Sequence, residues 1–382
     1  MERLIEQAAR SLVRGGVTST GNFVLCALDR DCVCNEEGPR ANAARAVMKQ
    51  LGIGAFIHGK PSFPVPAMIR FLCAQTDMDY PRDSETRTFL HRLPVCDGTP
   101  SSMAEALRGH RAALCTDGTV IASGMVSPQE AAVNFSSACF SVYVKFMTDC
   151  LTAASSGAMS PALTDTLSRV LPSVRPLVCP SVQKRGPFDR ASQVISAMVE
   201  AGRLTVECGL VDSCFGNISF VHDGILYISQ TGAALDELDG CIDPCPLDDS
   251  GGTITASSEY LAHLGIVRKA RCDGVLHGHP KFAVISSLHC EEDCATRDAC
   301  FTACPAKRTV GGIPLVCGEV GGGAHGLYRT VPPAVADSGG AVVLGHGLFL
   351  AVQNDFSQAV ARMIDIENRC ITDFRRRMEK VL

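Results

Sequence analysis

In "CDGVLHGHPKFAV" (Cys272–Val284), His277 and His279 stand two residues apart in an apolar run. Residues i and i+2 of a β-strand share a face, so both imidazoles project to one side, about 7 Å apart along the chain. That is a chelating arrangement. Burying two imidazoles among Val, Leu, Phe and Ala costs free energy unless each has a partner, and a metal is one such partner. Glu259 lies eighteen residues before His277, and His346 follows in "LGHGLFL". Three neutral imidazoles with one carboxylate make a good Zn²⁺ site, which other divalent first-row metals could also use. Gly345 and Gly347, flanking His346, let the backbone approach such an ion and orient the ring.

Phosphate capture is the second chemistry within reach. Gly216-Asn217, Thr231-Gly232 and Ser257-Ser258 are small pairs with hydroxyl, amide or bare backbone donors, each placed at a strand end or helix start. Ser257-Ser258 opens the helical pattern "SSEYLAHLGIV", and a helix N-terminus favours anions. Each pair taken alone reads equally as an ordinary turn. A third feature is "HCEEDCATRDACFTACP", where Cys290, Cys294, Cys300 and Cys304 are spaced by three, five and three residues. Four thiols on one short loop can surround a second Zn²⁺ or an iron–sulfur cluster, or remain free.

Composition frames these sites. The 382 residues are 46% hydrophobic and 20% charged, enough for a sizeable core and about two domains. With no apolar run of spanning length, and acids within the amphipathic opening "MERLIEQAARSLVRGG", the reading is a soluble, cytoplasmic chain without a membrane partner. A net charge of −5, with no basic run longer than Arg375–Arg377, speaks against nucleic acid as a partner. Twenty cysteines are many for reducing cytosol, and most are expected to be buried thiols.

The elements that must position these residues come in two sets. A Ser- and Pro-rich stretch, 151–184, reads as a linker with room for one helix, between a first domain, 1–150, and a second, 185–382. Similar features recur in order on either side. "TSTGNFVLCALDRD" parallels "VDSCFGNISFVHDG", "LGIGAFIHGKPSFPV" parallels "ARCDGVLHGHPKFAV", and "LRGHRAAL" parallels "LGHGLFLA". Each half then closes with a helix, the first capped by Ser127 with Pro128 and Glu130 behind it. Four matches in order suggest duplication. In the first copy Lys60 stands for His279 and Arg40 for Glu259; cations cannot hold a divalent metal, so that half is expected to be chemically silent.

"GNIS", "SQTGAAL", "SSE", "HGHP" and "LGHG", in that order from Arg185 onward, resemble the class II aldolase/adducin family, whose members include L-fuculose-phosphate aldolase and L-ribulose-phosphate 4-epimerase. The resemblance implies an α/β fold of the α+β type, a three-layer αβα sandwich with a mostly antiparallel central sheet, here present twice. It implies Zn²⁺ on His277, His279 and His346, with Glu259 as metal-side carboxylate and proton acceptor. It also implies substrate phosphate on Gly216, Asn217, Thr231, Gly232, Ser257 and Ser258. The implied activity is a metal-dependent lyase acting on a phosphorylated sugar or short ketose through a stabilised enediolate. Epimerisation, dehydration or a non-catalytic adducin-like interaction role are the alternatives. Family members form cyclic tetramers with sites at subunit contacts, so two duplicated chains are expected to form a homodimer of four domains. Family aldolases take a tyrosine acid shortly after the second histidine; here the cysteine loop stands there. Tyr328 and His325 are substitutes without support from spacing, and the proton donor is unassigned.

Overall fold

The short apolar runs "NFVLCAL" and "GVLHG" predict strands, and the computed structural model places both inside a sheet, flanked by a strand on each side. It describes residues 1–212, 215–248, 250, 254–292, 294, 299–304, 306–319 and 323–382. Two units result, Met1–Arg175 with Arg375–Leu382, and Pro176–Phe374.

In the first unit the elements run α1 (Glu2–Arg14), β1 (Thr18–Leu28), β2 (Cys32–Cys34), α2 (Pro39–Leu51), β3 (Ala55–Pro61) and α3 (Val65–Cys73). They continue with β4 (Met78–Asp79), α4 (Ser84–Phe89), β5 (Leu93–Cys96), α5 (Pro100–Leu107), β6 (Ala112–Cys115), β7 (Val120–Gly124), α6 (Pro128–Ser156) and α7 (Pro161–Val170). The sheet order is β2-β1-β3-β7-β6-β5-β4, antiparallel except for the β5–β6 pair. On one face α2 and α5 bury Val47, Met48, Met103 and Leu107 against Val24, Phe56 and Ile121. On the other, α6 brings Phe135 against Gly59. Ser127 caps α6 as its sequence predicts, accepting from the Glu130 amide at 3.2 Å, while the Glu130 carboxylate returns to the Met125 amide at 2.8 Å.

The second unit follows with α8 (Ala191–Glu207), β8 (Asn217–His222), β9 (Ile225–Ser229), β10 (Ile242–Pro246), α9 (Tyr260–Ala270), β11 (Gly274–Gly278) and α10 (Lys281–Leu288). Next come β12 (Thr309–Val310), β13 (Ile313–Val316), α11 (Leu327–Ser338), β14 (Gly340–Val343), β15 (Gly347–Val352) and α12 (Ser357–Met378). Its order is β10-β9-β8-β11-β15-β14-β13-β12, again with one parallel pair, β13–β14. α9 and α11 cover one face, burying Ile266, Val331 and Val335 against Val275, Val343 and Phe349. α12 lies on the other, with Met363 over Gly278. Among the described residues no helix is long and apolar enough to cross a membrane.

β10 apart, the two sheets share one strand order and one set of strand directions. Register then fixes which positions correspond. His58 pairs with Val24 and Ile121, as His277 pairs with Asn217 and Phe349. By the same count Lys60 answers to His279, Gly118 to His346 and Thr119 to Gly347; Arg40 lies eighteen residues before His58 as Glu259 lies before His277, but inside α2 where Glu259 is the N-cap of α9. Two parallels drawn from similar letters are corrected. "LRGHRAAL" spans the end of α5 and β6, so His110 precedes its strand, whereas His346 sits in the β14–β15 turn. Asn22 falls within an irregularity of β1, and Val24 holds the place of Asn217. The expected boundary at 150 falls inside α6, and α7 makes part of the expected linker helical, burying Leu163, Leu167 and Val170. In the first unit His58 Nε2 meets Thr119 Oγ1 at 3.0 Å, and that hydroxyl donates to Asp117 at 2.7 Å.

Candidate metal centre

β11 carries His277 on the same sheet face as Val275, the face under α9 and α11, and the strand's period of two sends His279 to the same side. The β14–β15 turn brings in His346, and Glu259 is the N-cap of α9. All four side chains are buried. The ligand nitrogens of the three histidines lie within 4.8 Å of one another, with His277 and His279 Nε2 atoms 3.0 Å apart. Glu259 Oε1 is 3.1 Å from His346 Nε2, and its Oε2 is 3.4 Å from His277 Nε2.

Glycines make this convergence sterically feasible. A Cβ at Gly347 would clash with the Gly278 carbonyl and stand 2.9 Å from His277 Cε1 and 3.0 Å from His279 Cδ2. Gly216 has φ +77°, and a Cβ there would meet the His277 carbonyl at 2.6 Å. Phe349 stacks on His277, ring centroids 3.8 Å apart, and fixes the plane of that imidazole. His277 Nδ1 lies 3.1 Å from the Leu348 carbonyl and donates to it, which leaves Nε2 with its lone pair directed at the centre.

Electrostatics favour the ligand forms. Burial, reinforced by His277 and His346, holds the His279 pKa well below the ordinary imidazole value, so the ring is neutral. For Glu259 burial pushes upward, but His277, His346 and the Asn217 amide overcome it and hold the carboxyl below its usual range. A carboxylate among converging imidazole nitrogens fits a divalent cation by donor type and geometry.

Two side chains behind Glu259 complete the arrangement. Asn217 Nδ2 donates to Glu259 Oε2 at 2.7 Å, and Asn217 Oδ1 meets His263 Nε2. His263 Nδ1 lies 2.8 Å from Ser219 Oγ, and burial drives its pKa down to about 3. Sequence reasoning did not find His263. Its one signal was the spacing of four from Glu259, which puts both on one helical face. The side chain of Asn217, expected at the substrate phosphate, is thus committed to Glu259 and His263.

The remaining phosphate candidates come together beside this centre. Thr231 N donates to the Thr255 carbonyl at 2.9 Å and Thr231 Oγ1 to the Ala256 carbonyl at 3.0 Å, tying the Thr231-Gly232 turn to the segment leading into Ser257-Ser258. Thr231, Gly232 and Ser258 are exposed, while Ser257 is buried and accepts from the Glu259 amide at 3.3 Å. Tyr328, at the start of α11, has its hydroxyl engaged by the Gly323 carbonyl and Arg329.

Among the described residues two groups bring three ligand atoms within 4.8 Å: the histidines, and Cys26, Cys32 and Cys34. The loop cysteines do not gather as closely, although Cys304, Cys294 and Cys290 act electrostatically on Cys300, whose pKa burial raises. Cys317 joins them: burial first, then Cys304 and Cys300, push its pKa up to about 11. Cys26 and Cys34, expected as buried thiols, are joined as a disulfide.

Residues 196–372 match the family model described as Class II Aldolase and Adducin N-terminal domain. Among solved structures, an L-fuculose-1-phosphate aldolase from Thermus thermophilus is 17% identical with a TM-score of 0.36, over 50% of this chain and 94% of that one. Another L-fuculose 1-phosphate aldolase is 18% identical with a TM-score of 0.37, over 50% and 87%. A sugar-phosphate aldolase from Thermotoga maritima is 16% identical with a TM-score of 0.32, over 50% and 94%. No curated protein matches the chain.

Proposed function

Because its second unit belongs to the class II aldolase and adducin family, we propose that this chain is a divalent-metal-dependent lyase that cleaves a phosphorylated sugar or short ketose. The observation that carries this reading is the convergence of three buried imidazoles on Glu259, a carboxylate held ionised among them. His277, His279 and His346 would hold the ion, with Glu259 beside it. Lewis-acid polarisation of a substrate carbonyl and hydroxyl is the chemistry a divalent ion, Zn²⁺ or another of the first row, supplies when bound there. Glu259 accepts the hydroxyl proton as the carbon–carbon bond opens, and Asn217 and His263 hold its carboxylate in register for that transfer. Gly216, Thr231, Gly232, Ser257 and Ser258 offer backbone and hydroxyl donors to the phosphate next to the α9 N-terminus.

The test is an assay of purified full-length protein against a panel of ketose 1-phosphates, including L-fuculose 1-phosphate, with product analysis by NMR. Expected is aldehyde release that a chelator abolishes and Zn²⁺ restores, and that falls at least about 10²-fold in Glu259→Gln. Turnover unchanged in that variant overturns the role of Glu259, and no cleavage of any substrate overturns the lyase. A second reading, epimerisation or dehydration on the same site, is favoured by one observation: residues 280–308 contain no tyrosine to act as the acid. The same NMR experiment distinguishes it.

The common strand order, with Arg40, Lys60 and Gly118 at the metal-ligand positions, supports the first unit as a silent duplicate. Two chains supplying four such units form the proposed particle, and a native mass of two chains is its check.

A further inference from the structure

Cys26 on β1 pairs directly with Cys34 on β2, and Cys32 stands two residues before Cys34. All three sulfurs therefore project from one face of the sheet. That face is covered by α2, where Cys26 is fully buried with Ala44, Val47 and Met48, and Cys32 and Cys34 pack partly buried against the same cluster. The three sulfurs lie within 4.8 Å of one another. Met48 adds a fourth, its Sδ 3.7 Å from Cys32 Sγ. Arg45, one turn away on α2, acts electrostatically on the Cys32 sulfur and is itself held by Glu37 at 2.8 and 2.6 Å.

We propose that, with the Cys26–Cys34 bond reduced, Cys26, Cys32, Cys34 and Met48 form a second metal site, specific for a soft d¹⁰ ion, Zn²⁺ or Cu⁺. Thiolate and thioether donors select such ions over the hard cations that oxygen ligands favour. The "CVC" strand supplies a chelate of the same i, i+2 geometry as the histidine pair, and the opposite strand supplies the third arm. Three thiolates around Zn²⁺ leave one excess negative charge, which the Arg45 guanidinium offsets at the site's edge. Without an ion, burial keeps Cys32 protonated despite Arg45. The chemistry balances: a dithiol reductant gives two electrons and two protons to the Cys26 and Cys34 sulfurs and becomes a disulfide, and the entering ion then releases three thiol protons to solvent. The disulfide and the metal are mutually exclusive occupants of one cage.

The full-length protein decides this. It is reduced with a phosphine, which competes poorly for zinc, and loaded anaerobically with Zn²⁺ or with Cu⁺. Bound ion is then counted in wild type, Cys32→Ser/Cys34→Ser and Met48→Leu. The wild type should hold one ion more than the double variant, with the histidine-held ion retained in both as a check on folding. Loading should also shield Cys32 and Cys34 from alkylation, read residue by residue by mass spectrometry. Retention of only one of the two ions supports the site and identifies its occupant. Equal ion counts in wild type and double variant, or alkylation of Cys32 and Cys34 unchanged by loading with either ion, overturns it. Weaker retention in Met48→Leu assigns the thioether; retention unchanged there removes Met48 from the ligand set.

Discussion

Asn217 donates its side-chain amide to Glu259 across 2.7 Å, so the candidate base is held by a residue one strand away. β8 and β11 pair Asn217 with His277, and this register places the amide between Glu259 and His263. Replacing it removes one buried partner from each neighbour, leaving Glu259 with His346 and His263 with Ser219.

Asn217→Ala should therefore cost about 1–3 kcal/mol of stability, by analogy with other unsatisfied buried polar groups. It should lower kcat while the histidine-held metal stays bound. Metal content and kcat measured on the same preparation check this. A raised KM with kcat intact would instead mark a substrate contact.

The metal assignment is tested by deletion. His277→Ala/His279→Ala should lose one bound ion, counted by elemental analysis, while any ion held by cysteines remains. Content equal to wild type would remove the histidines as ligands.

Glu367 gives a pH dependence whose sign can be worked out. Its carboxylate, buried on α12, accepts from the Phe282 and Ala283 amides at 2.8 Å each, pinning the start of α10 just after His279. Burial raises its pKa to about 7 from 4.5, although both amides oppose the shift. A pKa raised by folding means the native state retains a proton that the unfolded chain has lost. The stabilisation is thus complete below about pH 4.5 and is lost as pH rises through about 7, on the order of 3 kcal/mol in all. Glu367→Gln should flatten this part of the stability curve. Thermal unfolding of both proteins from pH 4 to 8 reads the difference, and parallel curves refute it.

The cysteine loop has its own expected outcome. If Cys290, Cys294, Cys300 and Cys304 hold an ion or cluster, Cys294→Ser/Cys304→Ser should release it while the histidine-held ion stays. Visible absorption in the native protein would identify iron and sulfur, and its absence with zinc present a simple ion. Fully titratable thiols in metal-replete protein would exclude both.

How much of this was legible in the sequence depended on whether the signal was periodic or long-range. His277 and His279 were readable because a period of two on a strand fixes their common face. Glu259 and Arg40 were matched by counting back from the histidines; strand register does not reach them, and Glu259 is a helix N-cap where Arg40 lies inside its helix. His263 was not readable, since a histidine in "YLAHLGIV" looks like any core position until Ser219 and Asn217 are brought opposite it. Asn217 was read as part of a loop motif, yet the pairing of β8 with β11 turned its side chain inward. The Cys26–Cys34 bond likewise depended on hairpin register, which no spacing revealed.

The contact between His58 and Thr119 bears on whether the first unit could acquire a metal site like that of the second. Thr119 Oγ1 donates to Asp117, so it accepts from His58 Nε2, and that nitrogen carries a proton where His277 presents a lone pair. The two histidines hold opposite tautomers. Changing Arg40 to Glu and Lys60 to His would supply two side chains but leave the His58 nitrogen carrying its proton toward Thr119. Thr119 would also have to become glycine and Gly118 histidine, and none of the four changes helps without the others. If the first unit is the silent duplicate proposed above, the loss works as a ratchet: with the hydroxyl at 119 holding the imidazole, no single substitution leads back.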